Sequence, residues 1–461
     1  MVTIIYNVED LSKISGGGYS MKNKGNKLAI KMLIALVCGL VCGILCIYLR
    51  ENVLSAETWS MVNNLLFQDI TAEGAESAIG LFYIVGQLFV NALQLIIVPM
   101  VFTSITLAIC TITDTKKLGR ISSKTLLTFL LTTVCALIWA GIMGTIAYNL
   151  GVFNAVNADL SISAGSTGSN PLSIVMGIIP NNLVSAFSNN GGVLAIVFLA
   201  VSIGLAMNQL GDKTATFKKL LQEVSDIIQV CLSFVINTFA PYAIFCLLTR
   251  TFAAYGINYL MPALGYVISV FIALFAYLLL AYPIYIKVLG KVNPMPFMKK
   301  IVKVALFGFS TSSSAATLPL NKKTTVEEMG VHEQIASFTL PLGMTVNMDG
   351  TAIMQVTAAL FVAVSSGYDV SFSSMAVIAV LALIASVGTP AAPGAGAVIL
   401  FTILTGMGYT NDAALLAYSL ILSINRPIEM LVTSLNVVGD SCTSVIVAKS
   451  ENMLDEDVYK G

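Results

Sequence analysis

Charge is what this sequence has least of. Only 10% of its 461 residues are Asp, Glu, Lys or Arg, against about 25% in soluble domains. With 57% hydrophobic residues and a mean hydropathy of +0.87, an integral membrane protein is expected. The 24 basic and 24 acidic residues cancel, so no basic excess exists to hold a nucleic acid. Histidine occurs once, at His332. There is no H-E-x-x-H, no Ser/His dyad and no paired-Asp motif, so no enzyme is expected. The eight cysteines (38, 42, 46, 110, 135, 231, 246 and 442) all lie in apolar segments and form no C-x-x-C pair. They imply neither a disulfide framework nor a zinc site, and read as small packing residues.

What is present is a series of long apolar runs. After a polar stretch at 1–27, runs predict helices near 28–49, 79–113, 124–153, 173–208, 217–250 and 258–288, each long enough to span a bilayer. Pro180 is expected to break the fourth. The first run is too long for a signal-peptide core and reads as a retained helix. From 295 onward the pattern becomes a hairpin (295–325), an interrupted helix (334–365), a second hairpin (371–408) and a last helix (412–447). Eight spanning helices plus two re-entrant hairpins of opposite entry place 21 of the 24 basic residues on the side of the termini. By the positive-inside rule, both termini are then cytoplasmic in a multi-pass cell-membrane protein. The exceptions are Arg50 and Arg250 near the outer face and Arg426 within the last helix.

The interruptions carry the functional signal. Apolar sequence breaks at Ser312-Ser313-Ser314, at Thr345-Val346-Asn347-Met348-Asp349-Gly350-Thr351, and at Thr389-Pro390-Ala391-Ala392-Pro393-Gly394-Ala395-Gly396. Irregular backbone at membrane depth survives only where it lines a cavity, and broken helices of this kind hold substrate and coupling ions in secondary transporters. Each hairpin precedes a helix bearing Asn and Asp (Asn347 and Asp349; Asn436 and Asp440), the pattern of an inverted repeat.

Three carboxylates lie inside the membrane region, Asp349, Glu429 and Asp440, offset only by Arg426. An uncompensated carboxylate at that depth costs roughly 2.5–3.5 kcal/mol, so bound cations are expected. The neighbouring donors are oxygens: the amides of Asn347 and Asn436, the hydroxyls of Thr345 and Thr351, and carbonyls freed by the break. Such sets suit hard cations, with Na+ favoured. Glu429, Thr433, Asn436 and Asp440 recur at four, three and four residues, on one helical face. The serine tip offers hydroxyls and backbone N–H groups for a carboxylate. The Pro/Gly tip of the second hairpin permits close backbone approach and reads as an extracellular lid.

These motifs together, Ser-Ser-Ser…Thr317-Leu318-Pro319, Asn347-Met348-Asp349-Gly350-Thr351, Pro393-Gly394-Ala395-Gly396 and Asn436-Val-Val-Gly439-Asp440, resemble the dicarboxylate/amino acid:cation symporter family over nearly the whole chain after residue 28. The resemblance implies a homotrimer with an elevator-like transport domain. Segment 28–290 would be mainly scaffold, its third and sixth helices joining the transport core at 291–449, with 450–461 a cytoplasmic tail. By position, Asn347, Asp349, Asn436 and Asp440, with the Gly343 carbonyl, match sodium ligands. Thr132 and Thr133 match a pair completing a buried sodium site, and Thr345, Ser386, Val387 and Thr389 a site closed by the second hairpin. Ser313, Ser314, Thr351, Ala392, Gly396, Glu429, Thr433 and Asn436 match substrate contacts, Glu429 replacing the usual aspartate. Acidic-substrate members carry an arginine at the position of Ser312 or of Val432; here both are uncharged. A neutral amino acid is therefore favoured, with an acidic amino acid or dicarboxylate as the alternative and Arg426 as the residue able to supply the missing charge. Proton coupling and an anion-conducting channel are the other readings; sodium dependence of uptake separates the first from Na+ coupling.

Overall fold

The computed structural model describes residues 18–72, 74–113, 119–153, 179–188, 193–255, 260–368, 370–387, 389, 391 and 393–461. Among them every regular element is helical, apart from one isolated antiparallel bridge between Val331 and Leu454. In chain order the α-helices are α1 (Gly18–Tyr48), α2 (Ala56–Leu66), α3 (Leu81–Thr113), α4 (Gly119–Asn149), α5 (Leu183–Phe187), α6 (Val193–Leu210), α7 (Ala215–Phe234), α8 (Ala240–Tyr255) and α9 (Leu260–Val288). There follow α10 (Pro294–Thr311), α11 (Ser314–Lys323), α12 (Glu333–Val346), α13 (Asp349–Ser365), α14 (Phe372–Val387), α15 (Ala395–Gly406), α16 (Asp412–Ile424), α17 (Arg426–Ser450) and α18 (Glu456–Lys460). Seven helical runs among the described residues are long and apolar enough to cross a membrane.

The helices sort by what surrounds them. α1, α4 and α9 turn Ile34, Val41, Leu127, Ile138, Ile142, Ile272 and Leu279 outward, as lipid-facing surfaces do. α13 and α17 are buried almost end to end. α17 packs on α9, α10, α12 and α13, and α13 packs on α4, so the two Asn/Asp segments meet at the centre.

Several local features follow from sequence chemistry. Ser313 caps α11 by accepting from the Ala316 N–H at 3.2 Å, and Ser312 turns the chain between α10 and α11 in the left-handed region at φ 49°. α7 and α8 join through a π-turn at Val235–Phe239, just ahead of Pro241, whose missing N–H cannot complete a normal helical ladder. The predicted helix at 412–447 is two helices, because Pro427 occupies the first turn of α17 and forces a new start after Asn425. The predicted fourth span, 173–208, is not continuous either: α6 begins at Val193 and α5 is a separate turn. α2, capped by Ser55, had no predicted counterpart.

Segment 450–461, expected as a tail, is docked. Tyr459 is buried and its hydroxyl donates to the Asn293 carbonyl at 2.8 Å. The Lys300 ammonium donates to the carbonyls of Glu328, Val458 and Tyr459, each at 2.8 Å. Glu451 sits between Arg120 and Lys124 at the start of α4, both at 2.5 Å.

Candidate cation and solute site

The break between α12 and α13 leaves Asn347 and Met348 outside helical geometry. From there Asn347 reaches two ways. Its Nδ2 donates to Asp440 Oδ1 at 3.1 Å, and its Oδ1 accepts from the Thr132 hydroxyl at 3.3 Å. Asp349 Oδ1 accepts from Thr133 at 2.9 Å and Thr132 at 3.3 Å; its Oδ2 accepts from Tyr282 at 3.1 Å. Asn436 Oδ1 accepts the Gly350 N–H at 2.8 Å, while its Nδ2 donates to the Thr351 hydroxyl at 3.1 Å. All these groups are buried.

Two glycines make the approach feasible. A Cβ on Gly343 would lie 2.4 Å from Asp440 Oδ1, and one on Gly439 would lie 2.7 Å from Asn347 Nδ2. Among the described residues neither Asp349 nor Asp440 has a cationic partner; their contacts are hydroxyls and amides. Two buried carboxylates, with the Thr132 and Thr133 hydroxyls and the Asn347 amide oxygen beside them, fit a hard alkali cation. The structure thus brings Thr132, Thr133, Gly343, Asn347, Asp349, Asn436 and Asp440 into one cluster. Of the second proposed set, Ser386 and Thr389 are joined by a backbone hydrogen bond at 3.0 Å, and α14, which carries Ser386 and Val387, packs against α12, which carries Thr345. Thr345, Ser386 and Thr389 each donate to a carbonyl of their own segment (Leu342, Leu383 and Ala385), and Val387 is partly exposed.

Beside the cluster lies a cavity lined by Ser312, Ser314, Thr351, Thr389, Ala391, Gly394, Gly396, Glu429, Val432, Thr433 and Asn436, with Met348 and Met354. It gathers the serine tip, the glycine tip and the α17 face. Gly396 lets the backbone approach Met354 and Thr351: a Cβ there would meet them at 3.1 and 3.3 Å. Ser313 does not line the cavity. Its hydroxyl instead donates to the Ala391 carbonyl at 3.0 Å, joining the two tips. Ala392 lies outside the described residues.

Among the described residues Glu429 is the only charged one lining this cavity. Its Oε2 is 3.4 Å from an Arg426 guanidinium nitrogen, both side chains being about one-tenth exposed. Arg426 lines a second, mostly apolar crevice that shares Glu429 and Gly394 with the first and is walled by α1, α3 and α8. Its Nε has no hydrogen-bond partner. The guanidinium is therefore one side chain away from the solute cavity, behind Glu429.

Sequence reasoning missed Tyr282 and Tyr277. Tyrosines in an apolar run carry no local mark distinguishing a buried donor from an interfacial anchor. Nor was Met348 anticipated as a wall of the cavity.

The fold and this site define a membrane transport protein, and comparison with known sequences says of which kind. The profile described as the sodium:dicarboxylate symporter family matches residues 28–450, and the chain belongs to that family. It is 26% identical over 389 residues to a proton/sodium-glutamate symport protein of Bacillus caldotenax, covering 82% of this chain and 89% of that one. It is 27% identical over 415 residues to a C4-dicarboxylate transport protein of Bacillus subtilis (strain 168), covering 86% and 96%. It is 27% identical over 382 residues to a proton/glutamate-aspartate symporter of Escherichia coli (strain K12), covering 80% and 85%. The protein is thus a multi-pass membrane symporter, in a family of transporters rather than enzymes. These relatives favour the acidic alternative over the neutral amino acid that Ser312 and Val432 suggested.

Proposed function

We propose that the chain is a Na+-coupled secondary active symporter that imports an acidic amino acid or dicarboxylate. The observation that carries this reading is the pair of buried carboxylates, Asp349 and Asp440, which meet hydroxyls and an amide and have no cationic partner among the described residues. Na+ is the missing charge, held by Asn347, Asp349, Asn436 and Asp440 with the Thr132 and Thr133 hydroxyls and the Gly343 carbonyl. A second Na+ is held at Thr345, Ser386, Val387 and Thr389, where the three hydroxyls give their protons to carbonyls of their own segments and keep lone pairs for a cation.

The solute occupies the adjacent cavity. Its α-carboxylate meets the N-terminus of α11 at Ser314, where backbone N–H groups favour an anion. Its ammonium meets Glu429, and Thr351, Thr433, Asn436 and Gly396 complete the wall. A side-chain carboxylate is served by Arg426, whose single long contact to Glu429 leaves guanidinium donors free.

Hairpins 1 (α10–α11) and 2 (α14–α15) enter from opposite faces, with both termini cytoplasmic. The core from residue 291, with α4 and α9, moves as an elevator in a homotrimer. The test is competition: glutamate and aspartate should displace labelled solute better than serine or alanine, and Arg426→Ala should remove that advantage. A neutral preference in the wild type is favoured by one observation, the uncharged pair Ser312 and Val432 lining the cavity, and would restore the neutral reading.

A further inference from the structure

We propose that Tyr282 is a positioning residue for the coupling cation, fixing the second oxygen of Asp349. The proposal rests on the reading of Asp349 as a cation ligand. Tyr282 is fully buried, and its hydroxyl lies 3.1 Å from Asp349 Oδ2 and 3.1 Å from the Leu435 carbonyl. A phenol has one proton to give. The Leu435 carbonyl already has its place in the α17 ladder, so the carboxylate is the acceptor that needs the proton more. With Thr132 and Thr133 on Oδ1, the carboxylate plane is then set from both sides.

The surroundings are built around this hydroxyl. A Cβ on Gly439 would lie 2.8 Å from it, so that glycine leaves room for Tyr282 as well as for Asn347. Tyr277 meets the Tyr282 ring edge-on at 5.6 Å between centroids, and its own hydroxyl donates to the Thr132 carbonyl at 2.8 Å. α9 thus grips the cluster twice, at Asp349 on α13 and at the turn of α4 that carries Thr132 and Thr133. The same helix touches the solute end elsewhere: the Tyr266 hydroxyl donates to Asn425 Oδ1 at 3.3 Å, next to Arg426. A ligand held within a preset geometry binds without a cost of ordering the site.

The two ends allow a contrast. Purified full-length protein is titrated with NaCl at constant ionic strength, choline replacing Na+, and the unfolding midpoint is followed, since a bound cation raises it by mass action. No solute is present, so the solute's identity does not enter. Tyr282→Phe keeps the ring and its packing. It should need roughly three- to tenfold more Na+ for the same rise, the size expected for one lost hydrogen bond. Tyr266→Phe should follow the wild-type Na+ curve. If Tyr282→Phe lowers the midpoint equally at every Na+ concentration, or superimposes on the wild type, the hydroxyl only packs or caps Leu435 and the proposal is wrong. If the wild type itself shows no Na+-dependent rise, the cation reading falls and this inference with it.

Discussion

The Ser313 hydroxyl donates to the Ala391 carbonyl across 3.0 Å. This hydrogen bond joins the tips of the two hairpins beside the solute cavity. A cysteine at Ala391, in a chain with its eight native cysteines replaced, should react with an impermeant thiol reagent from outside in the absence of ligand. Na+ plus solute should protect it. Reaction from the cytoplasmic face alone would reverse the proposed orientation.

Asp349→Asn and Asp440→Asn should each weaken Na+ binding by about tenfold or more, since a charged hydrogen-bonding partner is worth roughly 1.5–3 kcal/mol. Gly439→Ala should act in the same direction without replacing a ligand, because its new methyl would press on Asn347 Nδ2 and the Tyr282 hydroxyl. The check is the half-saturating Na+ concentration for uptake. Mutants with a wild-type value would remove these carboxylates from the ion path.

Glu429→Gln should cost solute affinity more than Na+ affinity. Glu429 lines the solute cavity, whereas the hydrogen bonds that tie Asp349 and Asp440 into their cluster do not involve it. The measurement is the KM for solute at saturating Na+ beside the half-saturating Na+ concentration at saturating solute. Equal losses in both would assign Glu429 to ion binding.

The docked C-terminus makes a pH prediction. Lys124 and then Arg120 hold the Glu451 carboxyl below its usual range. A depressed value means the folded state prefers the ionised form. The link thus contributes above the unfolded-state value of about 4.3 and is lost as pH falls through the lower folded value. The thermal midpoint of wild type should exceed that of Glu451→Gln at neutral pH, and the gap should close in acid. A gap unchanged by pH would make the contact one of packing alone.

Much of this was legible in the sequence because the decisive features are local. The break at Asn347-Met348, the serine tip and the four-three-four spacing on α17 are read from neighbours in the chain, and the structure gathers them at one place. What escaped was of two kinds. Tyr282 and Tyr277 matter only through helices far away in sequence, and nothing beside them in α9 marks them. The start of α17 at Arg426 depends on how Pro427 is resolved, by a kink or by a new helix, and the hydrophobic pattern of 412–447 is continuous across it. The relatives move the solute reading from neutral toward acidic. Arg426, named from the sequence as the residue able to supply the missing charge, lines the crevice that shares Glu429 and Gly394 with the cavity.

The central claim, Na+-coupled entry of an acidic solute, is tested most directly in proteoliposomes. Labelled glutamate, aspartate, succinate, serine and alanine are offered in turn under an inward Na+ gradient, with choline replacing Na+ at constant pH as the control. An acidic solute should accumulate above the neutral ones, and choline should abolish its accumulation. Unchanged uptake in choline would contradict Na+ coupling, and accumulation of serine or alanine alone would contradict the acidic solute.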